Sequence, residues 1–219
     1  MSVISGGFGF RRRMILWVVI VALYILFFGW YTHLGGPLTQ VEKDFYIEKL
    51  MVRSKNPGSL AAVRRFVEAD DGKAFIMVNI LDLANKPPVL PATGSDAQAS
   101  DLLAHYMEHM FPALLRRACH PIWLGDGLNT ALEVIGIEDA TRWDQAALMR
   151  YRSRKDFLEI VVNPAFSERH DYKLAGLDKT IAFPADSGWL SSDPRLLVAL
   201  ILMVIALILD RLVSRTRSA

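Results

Sequence analysis

Two stretches of the chain run without a charged residue, and the rest alternates apolar and polar positions on periods near two or near 3.6. The first stretch, MILWVVIVALYILFFGW, starts at Met14 and continues to Leu34 before Gly35, Gly36 and Pro37 break it. A helix rises about 1.5 Å per residue, so about 20 residues cross a hydrocarbon core of about 30 Å. Residues 14–34 meet that length, with Trp30 and Tyr31 where an interfacial aromatic belt lies. The second stretch, LLVALILMVIALIL from Leu196, is lengthened by Leu212 and Val213 to a span over 196–213. Arg195 and Arg211 can snorkel from its ends, and Trp189 is a candidate anchor. A cleaved signal peptide competes for the first stretch, since Arg11, Arg12 and Arg13 would make its basic region. The long apolar run, its aromatic end and the missing small-residue cleavage site favour an uncleaved anchor. A buried core helix competes for the second, but that segment shows no polar stripe. Two transmembrane helices are expected.

Between them the pattern is that of a small mixed domain. Residues 35–72 read as a juxtamembrane linker with a polar helix over Thr39–Arg53. A turn at Asn56, Pro57, Gly58 and Ser59 follows, with Ser59 capping a helix over 60–69. KAFIMVNILDL (73–83), bounded by Asp-Asp-Gly and Lys-Pro-Pro, reads as a buried strand. A loop covers 84–100, and Ser100 caps a helix over 101–118 whose inner face holds Leu103, Tyr106, Met107, Met110 and Leu114. PIWL (121–124) and ALEVI (131–135) read as strand around a Gly-Asp-Gly turn, and AALMRYR (146–152) as another strand. Ser-Arg-Lys-Asp (153–156) is a capping box opening the second helix. Asn163-Pro164 starts a new helical turn, and a strand over Thr180–Pro184 closes the order. The result is β-α-β-β-α-β, the ferredoxin-like α+β arrangement, over 73–186. Residues 187–195 form a second linker, and 1–13 and 214–219 are tails.

Helices cover one face of such a sheet and leave the other apolar. Monomers rarely expose so large a patch, so a two-fold homodimer through the sheet faces is expected, with a different membrane subunit as the alternative cover.

Charge sets an orientation. Arg11 to Arg13 flank the first span, and Arg211, Arg215 and Arg217 lie around the end of the second. The positive-inside rule then puts both ends in the cytoplasm of an inner membrane and the domain outside it, in contact with lipid only through its anchors. Arg195 is a mild objection. Residues 32–194 carry 18 Lys+Arg against 22 Asp+Glu, a net of −4, although the whole chain is +2. The domain is not basic, which disfavours nucleic acid as a partner. Cys119 is the only cysteine, so no intramolecular disulfide forms. The tails are too short for an output domain such as a kinase or cyclase.

MVNILDL, PALLRR, PIWLGDG, RWDQAALMRYRSRKDFLEIVVNPAF and KLAGLDKTIAF resemble the small proteins of uncharacterised function in the dimeric α/β-barrel superfamily. The resemblance covers about 73–186 and neither span. It implies a barrel made by two ferredoxin-like units, and no particular activity, because function does not follow from fold. Arg152 stands where a proline is usual, Cys119-His120 where Gly-Gly is common, and Lys173 in place of an arginine, which keeps charge but loses bidentate bonding. Relatives that degrade haem or oxidise aromatics use an Asn, a Trp and a His around the barrel pocket. By that resemblance Asn79, Trp123 or Trp143, and His170 are ligand-binding candidates, and haem is a candidate cofactor.

The residues themselves leave alternatives open. Asn79 interrupts an apolar run on the face of Phe75, Met77 and Leu81, so it orients a ligand or bonds a neighbouring loop. His170 is a proton-transfer group or haem ligand, or an exposed helix histidine. Arg150, Arg152, Arg154 and Lys155 cluster where a helix starts at Ser153. They hold an anion on its N-terminus or pair with Asp144, Asp156 or Glu159. Trp143-Asp144 reads as structural. His105 and His109 lie four apart around Glu108, but no further ligand is in view, so no metal site is expected. No Ser-His-Asp order, Walker loop or dinucleotide fingerprint is present. The leading expectation is a membrane-anchored extracytoplasmic binding or accessory module. The alternatives are a monooxygenase-like enzyme using Asn79 and His170, and a structural subunit of a membrane complex.

Overall fold

The computed structural model describes residues 5–52, 57–128, 130–188 and 193–215, so the expectations for Asn56, Trp189 and Arg217 fall outside the described residues. The chain divides into two compact units, Met1–Thr32 with Gly188–Ala219, and His33–Ser187.

The first unit is a pair of helices, α1 (Ser5–Tyr31) and α7 (Pro194–Arg215). Within them, Phe10–Tyr31 and Pro194–Ser214 are long and apolar enough to cross a membrane, and each apolar window is only 6% buried. The second segment is therefore not a buried core helix within this chain. The helices pack on each other, and Arg13 near the start of α1 makes a two-pronged ion pair of 2.6 and 2.7 Å with Asp210 near the end of α7. They therefore form an antiparallel hairpin with both outer ends on one side. Two charges inside apolar segments are costly alone, and here each neutralises the other.

The second unit starts with α2 (Gln40–Met51) and α3 (Pro57–Glu68). Thr39 caps α2 through a reciprocal box with Glu42: its Oγ1 accepts from the Glu42 N–H at 3.3 Å, and its own N–H donates to Glu42 Oε2 at 2.8 Å. The helix expected to start after Ser59 already includes Pro57, a residue suited to a first helical turn because its missing N–H would go unused there. Gly72 turns the chain into the sheet with φ of +74°. A Cβ there would lie 2.5 Å from the Gly36 carbonyl carbon, so only glycine fits.

The sheet unit is β1 (Phe75–Leu83), α4 (Ala99–Arg116), β2 (His120–Asp126), β3 (Gln145–Tyr151), α5 (Arg154–Val162), α6 (Pro164–Ala175) and β4 (Leu177–Asp186). The strands lie in the order β2-β3-β1-β4, all neighbours antiparallel. This is an α+β fold of ferredoxin-like order with its second helix split at Asn163, whose side chain accepts from the Ala165 N–H. Ser153 caps α5, its Oγ accepting from the Asp156 N–H at 3.1 Å.

Two local expectations fail. ALEVI is not a strand: Leu132 is 99% and Ile135 79% exposed in a loop that holds no ladder, so β-prone composition was not enough without a neighbouring strand to pair with. α4 begins at Ala99, ahead of Ser100, because the Gln98 N–H already finds an acceptor in Asp101 Oδ2 at 2.8 Å.

The core sits between one face of the sheet and the helices. Phe75 and Tyr151 stack at 5.2 Å, and Phe157 meets both edge-on at 5.9 and 5.0 Å. Met110, Ala113, Leu114 and Ile160 close around them. A second cluster of Leu38, Tyr46, Ile47, Leu50, Val67 and Leu158 fastens α2 and α3 to α5. Among the described residues no helix of this unit covers the opposite sheet face, which leaves Trp123 and Phe183 exposed.

Candidate functional site

Antiparallel pairing puts paired residues on the same face. Along β1 the helix-facing side chains are Phe75, Met77, Asn79 and Leu81. Their partners on β3 are Tyr151, Met149, Ala147 and Gln145, and on β4 Asn79 faces Ala182. Side-chain volume thus falls along the sheet, from Phe75–Tyr151 to Ala147–Asn79–Ala182. Where the side chains are small, the helices cannot close on them. A cavity of about 1050 Å³ opens there, walled by Met77, Leu81, Leu103, Met107, Leu124 and Leu174 among others. Its size is that of a large small-molecule pocket, and its apolar wall with few polar groups is the usual make-up of one.

The wall also carries Asp126, Gln145, Glu168 and Asp171, and two of its polar groups meet each other, Asn79 from β1 and Lys173 from α6. Asn79 is buried; its Nδ2 donates to the Met77 carbonyl at 3.2 Å, and its Oδ1 accepts from Lys173 Nζ at 3.4 Å. Lys173 comes from α6, and its ammonium lies 5.9 Å from the centre of the Tyr106 ring. Among the described residues no carboxylate forms an ion pair with it. Burial without a counter-charge pulls its pKa below the ordinary lysine value. Burial also pushes the Tyr106 phenol up to about 12, so it stays protonated at neutral pH. His170 lines the same cavity but is exposed, its ring 6.1 Å from that of Tyr106 and edge-on to it.

Asn79 and His170 therefore share one cavity, and the other candidates do not. Trp123 lies on the opposite sheet face, paired with Leu148, its ring folded over Gly125 where a Cβ would lie 2.5 Å from it. Trp143 donates its indole N–H to the Ala140 carbonyl at 2.8 Å, under the ammonium of Lys179. Asp144 accepts the Leu83 N–H at 2.8 Å, which holds its carboxyl below the usual carboxylate range and clamps the start of β3 onto β1. Arg150 is buried on the outer face and donates to the Ala118 carbonyl at 2.8 Å. Arg152 forms a two-pronged pair with Asp156 at 2.9 and 2.6 Å.

A second hollow of about 870 Å³ gathers Arg116, Arg117, Arg152 and Lys155. Three of these cations meet acids of the same chain: Arg152 pairs with Asp156, Arg117 with Glu159 at 3.1 Å and Lys155 with Glu42 at 2.5 Å. At the start of α5 the anion is thus Asp156, which also accepts from the Ser153 hydroxyl at 2.7 Å. His105 packs on Tyr172 at 4.5 Å and contacts Arg169, whereas His109 borders this second hollow. Among the described residues no group of three or more His, Cys, Asp or Glu side chains is placed to hold a metal. Cys119 is buried, and burial pushes its thiol up to about 11, so it is a packing residue and not a nucleophile.

His170 does not offer the cavity an axial ligand for a haem. An axial imidazole must face inward, and His170 is exposed with its ring against Tyr106. Besides His170, the wall offers one cation, Lys173, for two propionates.

Lys173 and Tyr106 are the cavity groups that sequence reading did not select. The available signal was a lysine in an arginine's place, set between Tyr172 and Leu174 on a helix.

No protein-family model and no curated protein matches the chain. Solved structures do resemble it. The methylated form of a protein of unknown function from Rhodopseudomonas palustris aligns at 18% identity and TM-score 0.50, over 64% of this chain and 96% of its own. Another crystal structure of that protein gives 19%, 0.49, 63% and 97%. A dimeric protein of unknown function with a ferredoxin-like fold from Bacteroides fragilis gives 10%, 0.32, 52% and 95%. At these identities the likeness is one of fold, carried by the methylated R. palustris protein, and no activity follows from it.

Proposed function

We propose that this chain is a membrane-anchored binding module that takes an apolar ligand with one polar end into the cavity between its sheet and helices. The observation that carries the reading is the 1050 Å³ apolar cavity with Asn79 and Lys173 together on its wall. A structural subunit has no need of such a hollow, because an empty cavity forfeits packing energy. The reading also places α1 and α7 across the cell membrane, both ends in the cytoplasm, with residues 33–187 outside. The hairpin held by Arg13 and Asp210 supports ends on a common side, and the basic flanks support the cytoplasmic one.

Photolabelling tests the binding reading. An alkyl diazirine irradiated with the full-length protein in lipid nanodiscs is expected to mark peptides bearing Met77, Met107 and Leu174. Ala147→Phe, which fills the hollow, is expected to remove those marks and leave labelling of α1 and α7 intact. Labels on α1 and α7 alone would sink the reading. Orientation is read separately. A reporter inserted at Gly94, an open loop position at φ +80°, is expected to work only outside the cytoplasm, and one fused at Ala219 only within it.

The uncovered sheet face supports a second element of the proposal, a homodimer. It carries Trp123, Phe183, Leu148 and Ile181 without a helix over them. A second copy of the same face is a self-complementary cover. A detergent-corrected mass of two chains is expected at micromolar concentration; a mass of one chain would overturn it.

A further inference from the structure

Lys173 is the feature of the cavity that the apolar walls do not explain. A lysine drawn out of water loses hydration that only an anion or several acceptors restore. Its described contacts are a long bond of 3.4 Å to Asn79 Oδ1 and the face of Tyr106 at 5.9 Å. Neither is a charge. Other cations of this unit that border the second hollow, Arg117, Arg152 and Lys155, each have a carboxylate of the chain at 3.1 Å or closer. The contrast marks Lys173 as a group whose counter-charge comes from outside the chain.

We propose, resting on the binding reading above, that the ligand is a monocarboxylate with an apolar body, whose carboxylate lies between the Lys173 ammonium and the Asn79 amide. The amide has one Nδ2 hydrogen committed to the Met77 carbonyl and a second left to donate. An ammonium and one amide hydrogen match the two oxygens of a single carboxylate. The apolar part of the wall, with Leu81, Leu103, Met107 and Leu124, receives the hydrocarbon. The depressed pKa of Lys173 fits the same picture, because a carboxylate beside it would restore the charged form.

The test compares carboxyl-13C decanoate with 1-13C decanol on the full-length protein in lipid nanodiscs, with protein-free nanodiscs as the baseline. Decanoate is expected to give a protein-bound resonance and to bind more tightly than decanol. Lys173→Met is expected to weaken decanoate by about 10- to 100-fold, the range of a charge-assisted hydrogen bond, and to leave decanol unchanged or tighter. Lys173→Arg is expected to retain decanoate binding within a few-fold. Equal binding of the two probes by the unaltered protein would overturn the carboxylate assignment and leave the cavity reading standing, and this comparison needs no variant to fold. Decanoate binding untouched by Lys173→Met would overturn it as well. Binding of neither probe would overturn both. Displacement of decanoate by 2-naphthoate would assign the site to aromatic acids, and its failure to straight-chain acids; decanoate binding supports the proposal in either case.

Discussion

The two ends of one sheet face solve the same packing problem in opposite ways. At one end Phe75, Tyr151, Phe157 and Phe66 interlock at ring separations of 5.0 to 5.9 Å, and the helices rest on a filled core. Two rungs further along the same strands, Ala147 and Ala182 flank Asn79, and the helices stand over a hollow. Strand pairing and the helices above continue across both ends. The aromatic end is packed, and Tyr151 and Phe157 form the border between it and the hollow. The tail unit makes a similar point with charge: Arg13 pairs with Asp210, whereas among the described residues no carboxylate pairs with Lys173, although Asp126, Glu168 and Asp171 also line its cavity.

Phe75→Ala should break the filled end. Removing a buried aromatic costs about 3–5 kcal/mol, read as a loss of denaturation midpoint, and the cavity-side variants below should cost less. If Phe75→Ala cost no more than they do, the division between the ends would be wrong.

Asn79→Leu sharpens the hollow end. It removes the Lys173 acceptor and should cost about 1–3 kcal/mol, the penalty of a buried donor left unsatisfied. Lys173→Met takes away a desolvated charge and should be neutral or stabilising. The double variant should recover most of the Asn79→Leu loss, because the Met side chain asks for no acceptor. Additive losses would show that Asn79 supports the fold through Met77 and not through Lys173.

The smallest effect belongs to α2. Bonds from Lys155 and Thr39 hold the Glu42 carboxyl at about 2, below its ordinary value of 4.5. A folded-state pKa below the unfolded one gives stability that is present above about 4.5 and lost as pH falls through about 2. The pair is partly open to solvent, which screens it, so Glu42→Gln should cost under about 1 kcal/mol at neutral pH and flatten the acid limb of the stability curve. An unchanged acid limb would remove Glu42 from the link between α2 and α5.

Much of this was legible in the chain. Length and apolarity alone mark two helices able to span a membrane, because lipid demands an unbroken run of a set length. Period two puts Asn79 on the face of Phe75, Met77 and Leu81, and local hydrogen-bond chemistry marks Ser153 and Asn163 as caps. These are decided over a few neighbouring residues. Tertiary structure alone decided the rest. ALEVI is strand-like in composition and yet a loop, since a strand exists only where a partner completes its ladder. The register sets Ala147 and Ala182 beside Asn79, and α6 brings Lys173 to it from 94 residues away. Trp123 and Arg150, plausible by type, go to the opposite face by the same register. A cavity is the volume left when distant side chains fail to fill the space between a sheet and its helices, and no run of neighbouring residues contains that volume.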